Sequence, residues 1–311
     1  MNSFSKEVHT FFNQQLGEWS LAAENYEALN QIKTKSFQYD NFEVKVQFNP
    51  SRLISGSAKT DPQSIQERKC FLCPAHLPAE QRSLPFGQNY QILVNPYPIF
   101  PIHLTIPELR HVHQHIHGRY VDMLAMAEVL PDFVVFYNGP KSGASAPDHL
   151  HFQAGSKGFL PLEKDLQSVE KEILFVHKKT QFYTLNHYLR NIFVVESQQK
   201  SEMINTFDEI AAILPFKEDD HEPMMNIVTW YDTGTWTSCV FPRQAHRPSC
   251  FYAKDKDHFL ISPGSVDLGG VIITPREEDF EKITAATIDT IFKEVCVADD
   301  LIQTIKQKMN H

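Results

Sequence analysis

No stretch of this chain approaches the roughly 20 consecutive apolar residues that a membrane-spanning helix requires. The opening Met1-Asn2-Ser3-Phe4-Ser5-Lys6-Glu7 also lacks the basic-then-apolar layout of a signal peptide. The expected setting is the cytoplasm, with no membrane partner. Positive charge is short as well: 29 Lys and Arg stand against 38 Asp and Glu, giving a net charge of -9 and a pI near 5.9. Binding a nucleic-acid polymer draws on clustered phosphate neutralisation, so this balance argues against such a partner. A small nucleotide needs only a few local cations and stays allowed. Cysteine is scarce and odd in number, five in all, and only Cys70 and Cys73 lie close together. A disulfide framework is therefore not expected, and in a reducing compartment Cys-x-x-Cys reads as metal or redox chemistry. Cys239, Cys250 and Cys296 sit among apolar or aromatic neighbours and read as small hydrophobes. There is no low-complexity tract and no close internal repeat.

What is present is an ordinary globular composition: 311 residues, 42% hydrophobic and 22% charged, with a mean hydropathy of -0.33. That length accommodates one large domain or two packed halves. Residues 6 to 30 carry Val8, Phe11, Phe12, Leu16, Trp19, Leu21 and Leu29 at helical spacing, which predicts one or two amphipathic opening helices. Between Ile32 and Ile54 the pattern becomes alternating, as in Phe42-Glu43-Val44-Lys45-Val46-Gln47-Phe48, and predicts strand. Loop signals at Ser55-Gly56-Ser57 and Asp61-Pro62 lead into Cys70-Phe71-Leu72-Cys73. Strands follow at Tyr90 to Val94 and Ile102 to Ile106, then a helix opening at Pro107-Glu108 with Thr105 as cap and running towards Val129. Further strands are expected at Asp132 to Tyr137 and His149 to Ala154. Strand-like runs resume at 192–195, 225–230, 238–241 and 270–273, and a final helix spans 277–309 with a break near Ala298-Asp299. Mixed sheet with flanking helices is an α+β arrangement.

The chemistry concentrates at His149-Leu150-His151-Phe152-Gln153-Ala154. Read as a strand, it places two imidazoles and an amide on one face and Leu150, Phe152 and Ala154 on the other. Just before it lies Asn138-Gly139-Pro140-Lys141-Ser142-Gly143-Ala144-Ser145. Such a turn of small residues presents backbone N–H groups and a lysine to a phosphate. Arg52, Arg243 and Arg247 are further candidate cations, and Asn95 a candidate polar contact; Lys141 and Ser142 belong to the same substrate-binding set.

Together these residues resemble the histidine-triad superfamily, in the branch of galactose-1-phosphate uridylyltransferase, diadenosine tetraphosphate phosphorylase and GDP-L-galactose phosphorylase. Asn138, Gly143, Ser145, His149, His151 and Gln153 carry the pattern, with Ser145 one residue further from His149 than is usual. The stretch Val240 to Pro248, with Arg243 and Arg247, is similar to part of GDP-L-galactose phosphorylase. The resemblance implies two HIT-like halves, residues 1–160 with the zinc site and the reactive histidines and 161–311 without them. It implies His151 as the nucleophile on the innermost phosphorus of a nucleotide. It also implies a structural zinc on Cys70, Cys73, His103 and His149, a donor set that suits closed tetrahedral Zn²⁺. Neighbours two apart on a strand are separated by roughly 6.6 Å, so a metal at His149 braces His151 without touching the reacting phosphate. Relatives are often homodimers, and a possible homodimer is carried over on that ground alone.

Hydrolases of the superfamily place a third histidine where Gln153 stands, and glutamine holds a phosphate oxygen without trading a proton. Transfer of a nucleotidyl group from a nucleoside diphosphate sugar or dinucleotide to a phosphate or sugar-phosphate acceptor is therefore expected over hydrolysis. Two alternatives stay open: an NDP-sugar or dinucleoside polyphosphate phosphorylase, and a catalytically silent zinc-stabilised nucleotide-binding protein. Three other features are read as structural. His111, His113, His115 and His117 are expected on an exposed helix face, the acidic run 218–222 in a solvated loop, and Tyr231 to Trp236 at the tip of a hairpin.

Overall fold

The computed structural model describes residues 2–53, 61–217 and 220–309. The loop signal at residues 55–57 and the acidic pair at 218–219 lie outside the described residues. The strands are β1 (Lys33–Gln38), β2 (Glu43–Phe48), β3 (Ser83–Phe86), β4 (Tyr90–Val94), β5 (His103–Pro107), β6 (Phe133–Asn138), β7 (His151–Ser156), β8 (Lys171–His177), β9 (Thr180–Leu185), β10 (Phe193–Ser197), β11 (Met225–Asp232), β12 (Thr235–Pro242) and β13 (Val271–Thr274). Ten of them form one antiparallel sheet in the order β3-β4-β5-β7-β6-β11-β12-β10-β9-β8.

This order reads the same from either edge. A hairpin and a third strand are followed by a helix (Tyr120–Val129 in one case, Lys200–Ile213 in the other) and a second hairpin, whose return strand slots beside the third strand. The two five-strand arrays meet where Asn226, Ile227, Val228 and Thr229 of β11 pair with Asn138, Tyr137, Phe136 and Val135 of β6. Chain alternation then sorts side chains to the two faces. Val135, Tyr137, Phe152, Ala154, Ile227 and Val240 join one core, and Val134, Phe136, Val228, Cys239 and Phe241 join the other. Because both faces are covered, the central strands are apolar throughout; every residue of β6 is buried.

The first face is covered by the opening helices Ser3–Glu18 and Ser20–Ala28, the two inter-hairpin helices, and Asp299–Met309. The opposite face carries a small sheet, β1-β2-β13, and the helices Leu162–Ser168 and Ala285–Val295. Strand β13 runs parallel to β2, with Val271 opposite Lys45. The run at 270–273 thus pairs with the N-terminal part of the chain rather than with its own neighbours. The tail breaks twice, into helices Glu277–Lys282, Ala285–Val295 and Asp299–Met309, the last break falling at the expected place.

Residues 108–117 do not form the expected helix. Their backbone bonds across to other segments: Glu108 N–H donates to the Leu150 carbonyl, Leu150 N–H to the Val112 carbonyl, and Gln114 N–H to the Pro147 carbonyl. Helix begins only at Tyr120. For the same reason β7 starts at His151 rather than His149: the Leu150 backbone bonds to this irregular segment and the His149 N–H to the Ala146 carbonyl, not to β5 or β6.

Candidate active site

His151 opens β7, and its alternation holds: Leu150, Phe152 and Ala154 go to the core while His151 and Gln153 turn to the opposite face. There they line a cavity of 440 Å³ together with Arg52, Asn95, Asn138, Gly143, Ser145 and Arg247. The loop 139–150 interrupts the β6–β7 ladder at this point, and Gln114 staples the gap. Its amide donates to the carbonyls of Asn138 and His151, at 2.8 and 3.1 Å, and accepts from His151 N–H at 2.8 Å. The His151 ring is buried, and its Nδ1–H donates to the His149 carbonyl at 2.7 Å. That bond fixes the tautomer and leaves Nε2 with its lone pair. Burial pushes the imidazole down to about 4, so it is neutral at pH 7.

The two amides beside it are oriented by their neighbours. Asn138 Oδ1 accepts from Asn226 Nδ2 at 2.7 Å and from Ser265 N–H at 2.8 Å. Its NH2 is thereby left for the cavity. His103 Nδ1 accepts from Ile99 N–H at 3.2 Å, which makes its Nε2 the protonated nitrogen facing Gln153 Oε1 at 3.0 Å. Gln153 likewise turns its NH2 outward. Two amide donors flanking an imidazole lone pair, with Arg52 in the same wall, suit an anionic phosphate. Burial lowers the Arg52 guanidinium only to about 10, so it keeps its charge, and its Nη1 donates to the Tyr97 carbonyl at 2.8 Å.

His103 therefore stands at Gln153 and not with the cysteines. Among the described residues the group that could hold a metal ion is Cys70, Cys73, His111 and His149, whose candidate ligand atoms all lie within 4.8 Å of one another. His149 Nδ1 is 3.2 Å from Cys70 Sγ and 3.6 Å from Cys73 Sγ, and His111 Nδ1 is 3.2 Å from Cys73 Sγ. His149 Nε2–H donates to the Glu108 carbonyl at 2.7 Å, presenting Nδ1 to the group. Two thiol sulfurs and two imidazole nitrogens at these separations fit one tetrahedral metal ion. His111, expected on a helix face, stands at this group, and the expected ligand His103 does not. Because 108–117 is irregular, His111 reaches across to the Cys-x-x-Cys clip, and Asp148 is ion-paired to Arg68 at 2.6 Å with its other oxygen 3.7 Å from His111 Nε2.

Three expected phosphate contacts lie elsewhere. Arg243 is buried, and all five of its N–H groups have protein partners: Nε on the Val295 carbonyl, Nη1 on Asn226 Oδ1 and the Pro263 carbonyl, and Nη2 on the carbonyls of Ala245 and His246. Lys141 is exposed and ion-paired to Asp220. Ser142 is fully buried, with its carbonyl accepting from Asn226. Sequence reasoning missed Gln114, Asn226 and His246: Gln114 is masked by its histidine neighbours, Asn226 lies in a plain apolar strand, and His246 sits between the two arginines that drew attention to its stretch.

Residues 11–156 match the family described as Domain of unknown function (DUF4922), and residues 164–311 match GDPGP1-like, C-terminal domain. No curated protein sequence matches the chain. Among solved structures, yeast Ap4A phosphorylase Apa2 is similar at 15% identity over 89% of this chain and 96% of that one, with a TM-score of 0.59. Its complex with AMP gives 16% identity, 90% and 96% coverage and a TM-score of 0.57, and its complex with Ap4A 16%, 90%, 97% and 0.54. At such identity the likeness is one of fold: an α+β protein with a large antiparallel sheet and flanking helices. Each family match covers just under half of the chain, the C-terminal one to a GDPGP1-like domain, and the fold as a whole is similar to that of the Ap4A phosphorylase. No helix among the described residues is long and apolar enough to cross a membrane.

Proposed function

We propose that this protein is a nucleotidyltransferase that carries a nucleoside monophosphate on Nε2 of His151. The observation that carries the reading is the Nδ1–H bond from His151 to the His149 carbonyl, which leaves the other nitrogen as a nucleophile in a cavity flanked by two outward-facing amides. In the first displacement Nε2 forms a bond to the innermost phosphorus of a nucleoside diphosphate sugar or dinucleotide, and the bridging P–O bond breaks towards the outer phosphate. In the second, an oxygen of phosphate or a sugar phosphate takes the nucleotidyl group and the P–N bond returns its pair to Nε2. Asn138, Gln153 and Arg52 hold the phosphate oxygens, and Gly143 and Ser145 shape the loop beside them. The metal on Cys70, Cys73, His111 and His149 is zinc in this reading, with the structural role of fixing the start of β7. The division into residues 1–160, bearing the site, and 161–311, completing its wall, belongs to the same proposal.

Phosphorolysis, with inorganic phosphate as acceptor, is the form favoured by a specific observation. The solved structures of like fold are of an Ap4A phosphorylase, and the C-terminal family is GDPGP1-like. The test is incubation with a panel of radiolabelled nucleoside diphosphate sugars and dinucleotides, followed by a search for acid-labile, alkali-stable label on histidine. Label is expected on the wild type and absent from His151→Gly with the fold intact. Label that persists in His151→Gly ends the assignment, and binding without label in the wild type favours the silent nucleotide-binding protein.

A further inference from the structure

Part of the cavity wall comes from the chain that follows the second array of strands. Asn138 at the end of β6 pairs with Asn226 at the start of β11, and Asn226 pairs with Phe241 near the end of β12. The chain leaving β12 therefore emerges at the same end of the sheet as the loop leaving β6. It carries His246 and Arg247 to the cavity, where Ser262 joins them. This bracket is held firmly. Arg243 Nη2 donates to the carbonyls of Ala245 and His246, both at 3.0 Å, and its Nη1 reaches Asn226, which in turn holds Asn138. Arg247 donates through Nε to Ser262 Oγ at 3.0 Å and stacks its guanidinium 4.1 Å from the Phe251 ring. The His246 ring is half-buried, and among the described residues neither of its nitrogens has a hydrogen-bond partner. Burial and the guanidiniums of Arg247 and Arg243 push it down to about 4, so it stays neutral and offers one N–H and one lone pair. A neutral imidazole fixed beside a stacked guanidinium on the wall of the 440 Å³ cavity presents an N–H and a positive charge to an anion.

We propose that His246 and Arg247 form the subsite for the second phosphate, the group that reclaims the nucleotide from His151. This rests on the covalent reading above and assigns acceptor binding to the second array. An oxygen of that phosphate attacks the adduct phosphorus, a P–O bond forms, and the P–Nε2 bond breaks with its electron pair returning to His151. The attacking phosphate oxygen is already anionic, so no base is consumed; Arg247 holds its charge and the imidazole N–H a further oxygen.

The test loads His151 with labelled nucleotide in a single turnover and then discharges it with inorganic phosphate in one arm and a sugar phosphate in the other. In His246→Ala and Arg247→Ala the phosphate concentration for half-maximal discharge is expected to rise tenfold or more, a larger change than in the loading rate, with Arg247→Lys recovering part of it. The arm affected identifies which phosphate the subsite takes. His246→Asn serves should alanine disturb folding by circular dichroism. Discharge with wild-type phosphate dependence in these variants overturns the subsite. Independently of any adduct, titration of the ¹⁵N-histidine-labelled protein with inorganic phosphate and with the sugar phosphate is expected to shift a ring resonance that is missing in His246→Asn. Absence of that shift in both titrations overturns the proposal, even where loading succeeds. Failure of the wild type to load, with the shift present, removes the covalent step alone.

Discussion

Two hairpins of this molecule have the same place in mirrored arrays and opposite fates. In the second, β11 returns to β12 through Thr233 and Gly234, both with positive φ, 45° and 89°, and Asp232 pairs directly with Thr235. This is the two-residue turn that matches strand twist. In the first, β6 returns to β7 through residues 139–150, long enough to carry the small-residue turn and one histidine of the Cys/His group. The face that holds His151 and Gln153 in β7 holds Cys239 and Phe241 in β12, both fully buried in the core. A hairpin becomes a site here when its turn is opened and the face behind it is left unfilled. The filled hairpin supplies rigidity and, just past its end, part of the cavity wall.

The sharpest way to break that contrast is to exchange chemistry for packing. His151→Gly is expected to lower nucleotidyl transfer by roughly 10⁴-fold or more, measured as single-turnover adduct formation, with an unchanged circular dichroism spectrum. Cys239→Ser at the corresponding face is expected to leave the adduct in place and cost about 1–3 kcal/mol in urea unfolding, because it buries a hydroxyl. Loss of adduct in the second variant would contradict the division of labour. Next in size is the metal. Cys73→Ser or His111→Ala is expected to remove zinc measured by mass spectrometry and lower Tm by several degrees, whereas His103→Gln keeps the metal. Retention of zinc in His111→Ala together with its loss in His103→Gln would reinstate the ligand set expected from resemblance.

A buried carboxyl at the junction of the arrays gives a smaller effect with a pH signature. Glu222 accepts from Ile116 N–H at 2.7 Å and Tyr137 OH at 2.7 Å, and burial pushes it up to about 7. Its unfolded value is about 4.3, so the native state holds the proton more tightly between about pH 4 and pH 7. Stability is therefore lost through this group as pH rises across that window, by up to about 3 kcal/mol. Chemical denaturation should show Glu222→Gln gaining on the wild type from pH 5 to pH 8; a constant difference would place the carboxyl in water. Smallest is a pair of glycines. Gly234 has open space around its missing Cβ, so Gly234→Ala is expected to cost about 1 kcal/mol and nothing in transfer. Gly143, with φ 95°, would bring a Cβ to 3.1 Å from Gly264 Cα and 3.2 Å from the Pro263 oxygen. Gly143→Ala should add to the strain a rise in KM for the nucleotide, because the loop is wedged off the segment at Pro263 and Gly264.

The strands, the opening helices and the reactive strand were legible because alternation and helical spacing are local. His151 and Gln153 were legible for the same reason, and Tyr231 to Trp236 does form a hairpin tip. Gln114 and His111 were not, since a dense histidine run after Pro107-Glu108 has helical spacing in sequence while its backbone bonds to residues 147–150 in space. Arg243 was expected at a phosphate because a free arginine and a fully bonded one look identical in a sequence; five bonds to protein acceptors make the difference.

By itself the sequence determined the α+β class, the two faces of β7 and the Cys-x-x-Cys half of a metal clip, all consequences of side-chain order along a few residues. Tertiary structure decided which histidine completes the clip, how the Asn138 and Gln153 amides are turned, and that His246 and Arg247 reach the cavity. Those depend on strand register across the sheet, where Asn138, Asn226 and Phe241 fall in one row although more than a hundred residues separate the first from the last.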